Sequence, residues 1–134
     1  MPQRILIVEP ERHAREGLRA ILAAAGHEVS VADSIAAGFE RVASEQFDLL
    51  LVDADLPPSR AVSVGVLDLL RLARRGHARA SGILVASCAD DLPRNLAPEG
   101  VVAVLEKPVE LSRLRHALEA AEARSARRPE ASTA

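Results

Sequence analysis

Short apolar runs, separated by longer stretches of helical period, constrain the fold of this chain more than any other feature. The runs lie at residues 5–8, 29–31, 49–52, 83–86 and 101–105. Four of them are unbroken, which is typical of strands buried on both faces, as in a parallel sheet. At 29–31 two valines flank a serine, and this alternation indicates a strand nearer an edge.

The segments between the runs carry apolar residues at the spacing of an amphipathic helix. The predicted inner faces are Ala14, Leu18, Ile21, Leu22 and Ala25; Ile35, Phe39, Val42 and Ala43; Val66, Leu67, Leu69, Leu70 and Ala73; and Leu111, Leu114, Leu118 and Ala121. We expect Pro10 at the first position of the first helix, where its missing N–H costs nothing. Gly26 is expected to end that helix. Asp33 or Ser34 is expected to cap the second.

Alternation of strands and helices predicts an α/β fold with a doubly wound, five-stranded parallel sheet and helices on both faces. The expected strand order is the flavodoxin-like 2-1-3-4-5. Pro93 and Pro98 allow at most a short helix before the fifth strand. A length of 134 residues suits one domain. We assign that domain to residues 1–124 and predict a disordered C-terminal tail over 125–134.

Composition and charge favour a cytoplasmic protein. Hydrophobic residues make up 49% of the chain, and the net charge of −2 gives no basis for a nucleic-acid or membrane partner. The single cysteine, Cys88, has no partner for an internal disulfide, which fits a reducing compartment. No apolar run is long enough for a signal peptide or a membrane helix.

Polar residues follow four of the predicted strands. Glu9 follows the first strand, Asp53 the third and Ser87 the fourth, and Lys107 comes just after the fifth. The carboxyl ends of parallel strands share one edge of a sheet, where ligands bind at the point of strand reversal. Each residue alone has a plainer interpretation, as a loop start, a turn cap or a surface charge. Four such placements at one edge favour a shared site.

Such a set of groups suits phosphoryl transfer to a carboxylate. An aspartate can act as nucleophile and form an acyl phosphate. The transferred group carries negative charge on its equatorial oxygens, so it needs an ammonium, a hydroxyl donor and a metal ion around it. In this interpretation Asp53 is the nucleophile, Lys107 the ammonium and Ser87 the hydroxyl.

These segments together resemble the receiver domain of two-component response regulators. The similarity runs from about Arg4 to Ala121 and rests on four segments in order. They read Ile-Leu-Ile-Val-Glu-Pro-Glu, Phe-Asp-Leu-Leu-Leu-Val-Asp-Ala-Asp-Leu-Pro, Ile-Leu-Val-Ala-Ser and Leu-Glu-Lys-Pro-Val. The resemblance implies that Asp53 is the phospho-acceptor, that Ser87 and Lys107 contact the phosphoryl group, and that the bond before Pro108 is often cis.

The resemblance also implies Mg²⁺ as cofactor, with Glu9, Asp53 and Asp55 as its ligands. The residue at Asp55 supplies a backbone carbonyl in the family. Three features depart from the family pattern. Pro10 stands where a second acid usually binds the metal, so we expect weaker binding of Mg²⁺. Val104 replaces the switch aromatic. The loop after Asp53 lacks the usual Asp-Gly pair.

The expected function is therefore phosphorelay signalling. A histidine kinase or phosphotransfer protein donates to Asp53, and the domain signals through a downstream protein partner rather than acting as an enzyme on a substrate. Pairing of two copies is left open. The alternative is a pseudo-receiver, a protein-interaction module that works without phosphorylation. A flavodoxin-like binder or a small α/β enzyme is a third reading, although no Gly-rich phosphate loop is present.

Overall fold

The computed structural model describes residues 2–59 and 64–126, in which strands and helices alternate. The strands are β1 (Arg4–Val8), β2 (Glu28–Ala32), β3 (Leu49–Asp53), β4 (Ser81–Ala86) and β5 (Val101–Glu106). The helices are α1 (Arg12–Ala24), α2 (Ile35–Ser44), α3 (Val66–Gly76) and α4 (Leu111–Ala126). All five predicted strands are confirmed.

The strands form one parallel sheet in the order β2-β1-β3-β4-β5. This confirms the predicted doubly wound α/β fold, with β2 at an edge as the alternating valines indicated. Because all strands point the same way, the residues that follow β1, β3, β4 and β5 lie at one edge of the sheet.

Alternate residues of the central strands pack into two hydrophobic cores, one on each face of the sheet. In β3, Leu49 and Leu51 belong to the core shared with α1 and α4, and Leu50 and Val52 to the core shared with α2 and α3. The residue that follows Val52 is Asp53. Each of these four apolar side chains is at most 1% exposed, so strand β3 is fixed on both faces.

The connection from β4 to β5 contains two short 3₁₀ turns, Ala89–Asp91 and Ala97–Glu99. Pro93 and Pro98 lie in this segment and restrict an α-helix there, as the sequence predicted. Leu92 and Leu96 pack instead against the core of α2 and α3. The side of the sheet near β5 is therefore covered by an irregular segment.

Helix ends differ from the prediction at one point. Pro10 does not open α1, because Glu11 is the N-cap and its carboxylate accepts hydrogen bonds from the backbone N–H of His13 at 3.1 Å and of Ala14 at 2.6 Å. Gly26, at φ 96°, ends α1 as expected: its N–H and that of the next residue close the last turn in a Schellman arrangement. Of the two candidate caps of α2, Ser34 is the one used.

Several residues predicted on inner helix faces are exposed. Ile21 and Leu111 are each 43% exposed, and Ala14, Ala25 and Ala43 also face solvent. Helical spacing identifies an apolar face, but it does not show which residues of that face the rest of the fold covers. The buried centre of α4, with Leu114, Leu118 and Ala121, is confirmed.

Helix α4 includes Ser125 and Ala126, two residues that the sequence analysis assigned to the tail. Residues 127–134 lie outside the described part of the chain, so the rest of the tail stays a prediction. In the described ranges, no helix combines the length and apolar character needed to cross a bilayer.

Candidate functional site

The polar residues predicted from the strand ends converge at the carboxyl edge of the sheet. Asp53 is the last residue of β3, Glu9 follows β1, and Lys107 follows β5. Asp53 is 5% exposed and Glu9 is 7% exposed. Both acids lie in the centre of the edge because β1 and β3 are neighbours in the sheet.

Lys107 reaches across from β5 to Asp53. Its Nζ donates to Asp53 Oδ2 at 3.0 Å and to Asp55 Oδ2 at 3.0 Å. The other oxygen of Asp53, Oδ1, accepts the backbone N–H of Asp55 at 2.8 Å. The Lys107–Pro108 peptide bond is cis. One buried carboxylate thus contacts an ammonium and a backbone donor.

The side chain of Asp55 connects Ser87 to this pair. Its Oδ2 accepts the Ser87 hydroxyl at 2.7 Å, and the Ser87 backbone N–H lies 3.1 Å from the same oxygen. The sequence analysis expected the backbone carbonyl of Asp55 to serve a metal ion and did not foresee this carboxylate contact. Its only sequence signal was an acid two residues after Asp53.

The hydrogen bonds determine how these groups titrate. The Ser87 hydroxyl, followed by the Lys107 ammonium, lowers the pKa of Asp55. Burial acts to lower the pKa of Lys107, but its hydrogen bonds to Asp53 and Asp55 outweigh burial and raise that pKa. Lys107 therefore stays charged at neutral pH.

The carboxylate of Glu9 lies near this network but accepts its hydrogen bond from outside it. Its Oε2 accepts the backbone N–H of Glu11 at 2.9 Å. Burial, together with the nearby charge of Asp53, raises the pKa of Glu9 despite that hydrogen bond and the opposing charge of Lys107. Two buried acids close enough to interact electrostatically favour the binding of positive charge at this edge.

Arg15 donates hydrogen bonds to the backbone of the loop that carries Glu9. Its Nη1 donates to the backbone carbonyl of Glu9 at 3.0 Å and to that of Pro10 at 3.2 Å. Together with the Glu11 cap, this contact fixes the end of β1 against helix α1. Neither residue was predicted to support the site, because backbone contacts of this kind leave no periodic signal in the sequence.

The donor set fits a hard divalent cation only in part. Carboxylate oxygens are the ligands that Mg²⁺ prefers, and it keeps several waters where the protein supplies one or two acids. Glu9 and Asp53 meet that requirement, while Pro10 offers no ligand. Across residues 2–59 and 64–126, no three His, Cys, Asp or Glu side chains are grouped closely enough to hold a metal ion.

Two further positions from the sequence analysis lie away from this contact network. Val104 pairs in register with Leu84 and packs, partly buried, against the core of α2 and α3. Cys88 is half-buried and free. Arg60, which belongs to the loop after Asp53, lies outside the described residues.

Comparison with known proteins agrees with this geometry. Residues 5–119 match the family described as response regulator receiver domain. A response regulator receiver protein of Anaeromyxobacter sp. (strain Fw109-5) is 33% identical over 113 residues, which cover 84% of this chain and 45% of that relative. The chain thus spans about half the length of this curated relative.

Solved structures share the fold. A CheY-like receiver domain protein from Methanospirillum hungatei JF-1 is 26% identical with a TM-score of 0.74, and the match covers 93% of this chain and 98% of that one. Response regulator protein TrrA from Thermotoga maritima, solved in complex with Mg(2+)-BeF, is 21% identical with a TM-score of 0.71, covering 90% and 99%. The chain belongs to the response regulator receiver domain family. Members of this family are signalling modules of two-component systems that interact with histidine kinases and downstream effectors.

Proposed function

We propose that this receiver domain accepts a phosphoryl group on Asp53 from the phosphohistidine of a histidine kinase or phosphotransfer protein. The observation that carries the proposal is the Lys107 ammonium, 3.0 Å from Oδ2 of a nearly buried Asp53 at the carboxyl edge of the sheet. In the transfer, an Asp53 oxygen forms a bond to phosphorus while the P–N bond to the donor breaks. The electron pair of that bond leaves with the imidazole.

The neighbouring groups have distinct roles in this proposal. Lys107 neutralises charge on the phosphoryl oxygens, and Ser87 donates its hydroxyl to one of them. Burial of Asp53 excludes water from the side chain that becomes an acyl phosphate. Because these groups come from β3, β4 and β5, the folded sheet positions them before any donor arrives.

Receiver domains generally bind Mg²⁺ at this acidic edge. In this chain we propose that the carboxylates of Glu9 and Asp53 and the backbone carbonyl of Asp55 hold it. When bound, the ion would supply positive charge that stabilises the transferred phosphoryl group. Since Pro10 replaces an acidic ligand, we expect a higher Mg²⁺ concentration to be needed than in receivers with two adjacent acids.

A groove of about 380 Å³ opens beside the site, between α1 and the segment after β5, and we propose that the donor docks there. Its lining includes the polar residues Glu9 and Lys107 and the apolar residues Leu18, Ile21 and Val109. Ile21 is 43% exposed there, and an apolar surface next to polar groups is typical of a protein interface. A donor helix in this groove would bring its histidine to Asp53.

Phosphorylation would add about 1.5–2 negative charges to the edge of the sheet. We propose that a downstream protein partner senses this change, and that the chain works in the cytoplasm with its kinase. Two copies of the domain pairing with each other is an alternative form of output. Light scattering with and without a phosphodonor distinguishes these two forms.

The test is direct. The protein is incubated with Mg²⁺ and acetyl phosphate, and its intact mass is measured. We expect a gain of one phosphoryl group in the natural sequence and none in Asp53→Asn. If no adduct forms at any Mg²⁺ concentration, the phospho-acceptor proposal is wrong.

One observation favours the pseudo-receiver as a second candidate. The carboxylate of Asp55 already contacts both the Ser87 hydroxyl and the Lys107 ammonium, so these groups are satisfied without a phosphoryl group. Pro10 and Val104 agree with this candidate. It predicts no adduct with acetyl phosphate, and a partner that binds Asp53→Asn as tightly as the natural sequence.

A further inference from the structure

The Asp55 carboxylate occupies the donors that a phosphoryl group would use. Its Oδ2 lies 2.7 Å from Ser87 Oγ, 3.1 Å from Ser87 N and 3.0 Å from Lys107 Nζ. Lys107 is at the same time 3.0 Å from Oδ2 of Asp53, the acceptor itself. An anionic oxygen is therefore already placed at the donors beside Asp53.

Asp55 and a phosphoryl group compete for these donors. The Ser87 hydroxyl has a single O–H to donate, so it serves either Asp55 or a phosphoryl oxygen. The phosphoryl group brings further negative charge beside the Asp55 carboxylate, and like charges at this separation repel. Asp55 must therefore release Ser87 when the phosphoryl group is held.

Release requires only a side-chain rotation. The backbone N–H of Asp55 stays bonded to Asp53 Oδ1 at 2.8 Å, which keeps the loop in place. The Asp55 side chain is 39% exposed, so a change of rotamer moves the carboxylate into solvent. The site can thus switch between two arrangements without a change of fold.

We propose that the Asp55 carboxylate is a built-in occupant of the phosphoryl position, and that its displacement limits the rate at which Asp53 is phosphorylated. This inference rests on the proposed function and extends it to the regulation of the same site. It also separates two roles for Asp55. A carboxylate that helped to hold Mg²⁺ would speed phosphorylation, whereas an occupant slows it.

The first experiment compares Asp55→Ala and Asp55→Asn with the natural sequence, using acetyl phosphate and saturating Mg²⁺. Both variants keep the backbone carbonyl at position 55. The Asp53 oxygen bonds to phosphorus, the P–O bond to the acetyl group breaks, and acetate leaves with the electron pair. We expect Asp55→Ala to be phosphorylated roughly tenfold faster, the factor associated with losing one hydrogen bond to a charged group.

A matched control is Asp33→Ala, which removes an exposed acid after β2 at the same edge of the sheet. This variant reports the effect of removing a negative charge alone. We expect its rate of phosphorylation to equal that of the natural sequence. A rate for Asp55→Ala equal to or below that of the natural sequence overturns the proposal. An equal acceleration in Asp33→Ala overturns it as well.

The second experiment needs no phosphorylation. Inorganic phosphate is titrated without Mg²⁺, and the amide signal of Ser87 is followed by ¹H–¹⁵N NMR. We expect saturable binding in Asp55→Ala and at least roughly tenfold weaker binding in the natural sequence. If the two proteins respond alike, Asp55 is not an occupant. If the two phosphate affinities differ but neither protein is phosphorylated, the result supports Asp55 as an occupant of the phosphoryl position. The same result would show that the proposal of Asp53 as a phospho-acceptor is wrong.

Discussion

The coupling between Lys107 and Asp53 can be measured by a double-mutant cycle. The cycle consists of Lys107→Met, Asp53→Asn and the double variant, and it isolates the pair from the other effects of each substitution. The Nζ–Oδ2 distance of 3.0 Å corresponds to about 1.4 kcal/mol in bulk water and about 5.5 kcal/mol at an effective dielectric constant of about 20. Asp53 is 5% exposed and Lys107 is 35% exposed, which places the pair between these limits but nearer the aqueous one. We expect a coupling free energy of about 2 kcal/mol.

Urea unfolding followed by far-UV circular dichroism provides the free energies of unfolding, because the chain has no Trp or Tyr for fluorescence. Lys107→Arg is the charge-matched control and should retain much of the stability. A coupling below about 0.5 kcal/mol, the usual limit of additivity, would refute the assignment of Lys107 as the partner of Asp53.

Two other predictions concern the surroundings of the site, and a third concerns the packing of β4 against α3. Because the pKa of Glu9 is raised above its ordinary value of 4.5, its contribution to stability is present below pH 4.5 and is lost as pH rises through the folded-state pKa. The stability of Glu9→Gln relative to the natural sequence should therefore increase between pH 4.5 and 7. A difference between the urea midpoints of the two proteins that stays constant over this pH range would contradict this. Glu11→Ala should lower the urea midpoint, because it removes the acceptor that caps α1. Gly82→Ala should destabilise the fold by about 1–3 kcal/mol in the same assay, since its Cβ would lie 2.8 Å from the buried Leu70 Cδ2.

The fold and the position of the site were predictable because they depend on periodic features. Unbroken apolar runs identify buried strands, and the parallel sheet then brings Asp53 and Lys107, 54 positions apart in sequence, to one edge. The same logic placed Glu9 beside them. These inferences need only the order and direction of the strands.

The fine structure of the site depends on rotamers and backbone contacts, which the sequence does not encode periodically. The sequence shows an acid two residues after Asp53, but it does not show that the carboxylate of Asp55 contacts Ser87. Glu11 rather than Pro10 defines the start of α1, since a carboxylate reaches two free N–H groups there. Ile21 is exposed and lines the groove that Lys107 also lines, and helical spacing alone does not distinguish such a residue from a buried one.

The contact between Ser87 and Asp55 can itself be tested by titration. The Ser87 hydroxyl is the largest cause of the lowered pKa of Asp55, ahead of Lys107 and the Ser87 backbone N–H. Ser87→Ala keeps that N–H and the ammonium but removes the hydroxyl, so the pKa of Asp55 should rise toward its ordinary value of 3.8 without reaching it.

The measurement is the pH dependence of the Asp55 carboxyl ¹³C shift, with Asp33 as an exposed reference in the same spectra. A lowered pKa means that the contact stabilises the fold above pH 3.8, and that this stabilisation is lost as pH falls through the folded-state pKa. Ser87→Ala should therefore show a weaker loss of stability in acid than the natural sequence. An Asp55 titration that is identical in the two proteins would mean that Ser87 does not hold the carboxylate in solution. In that case the donors beside Asp53 are free to receive a phosphoryl group without any displacement.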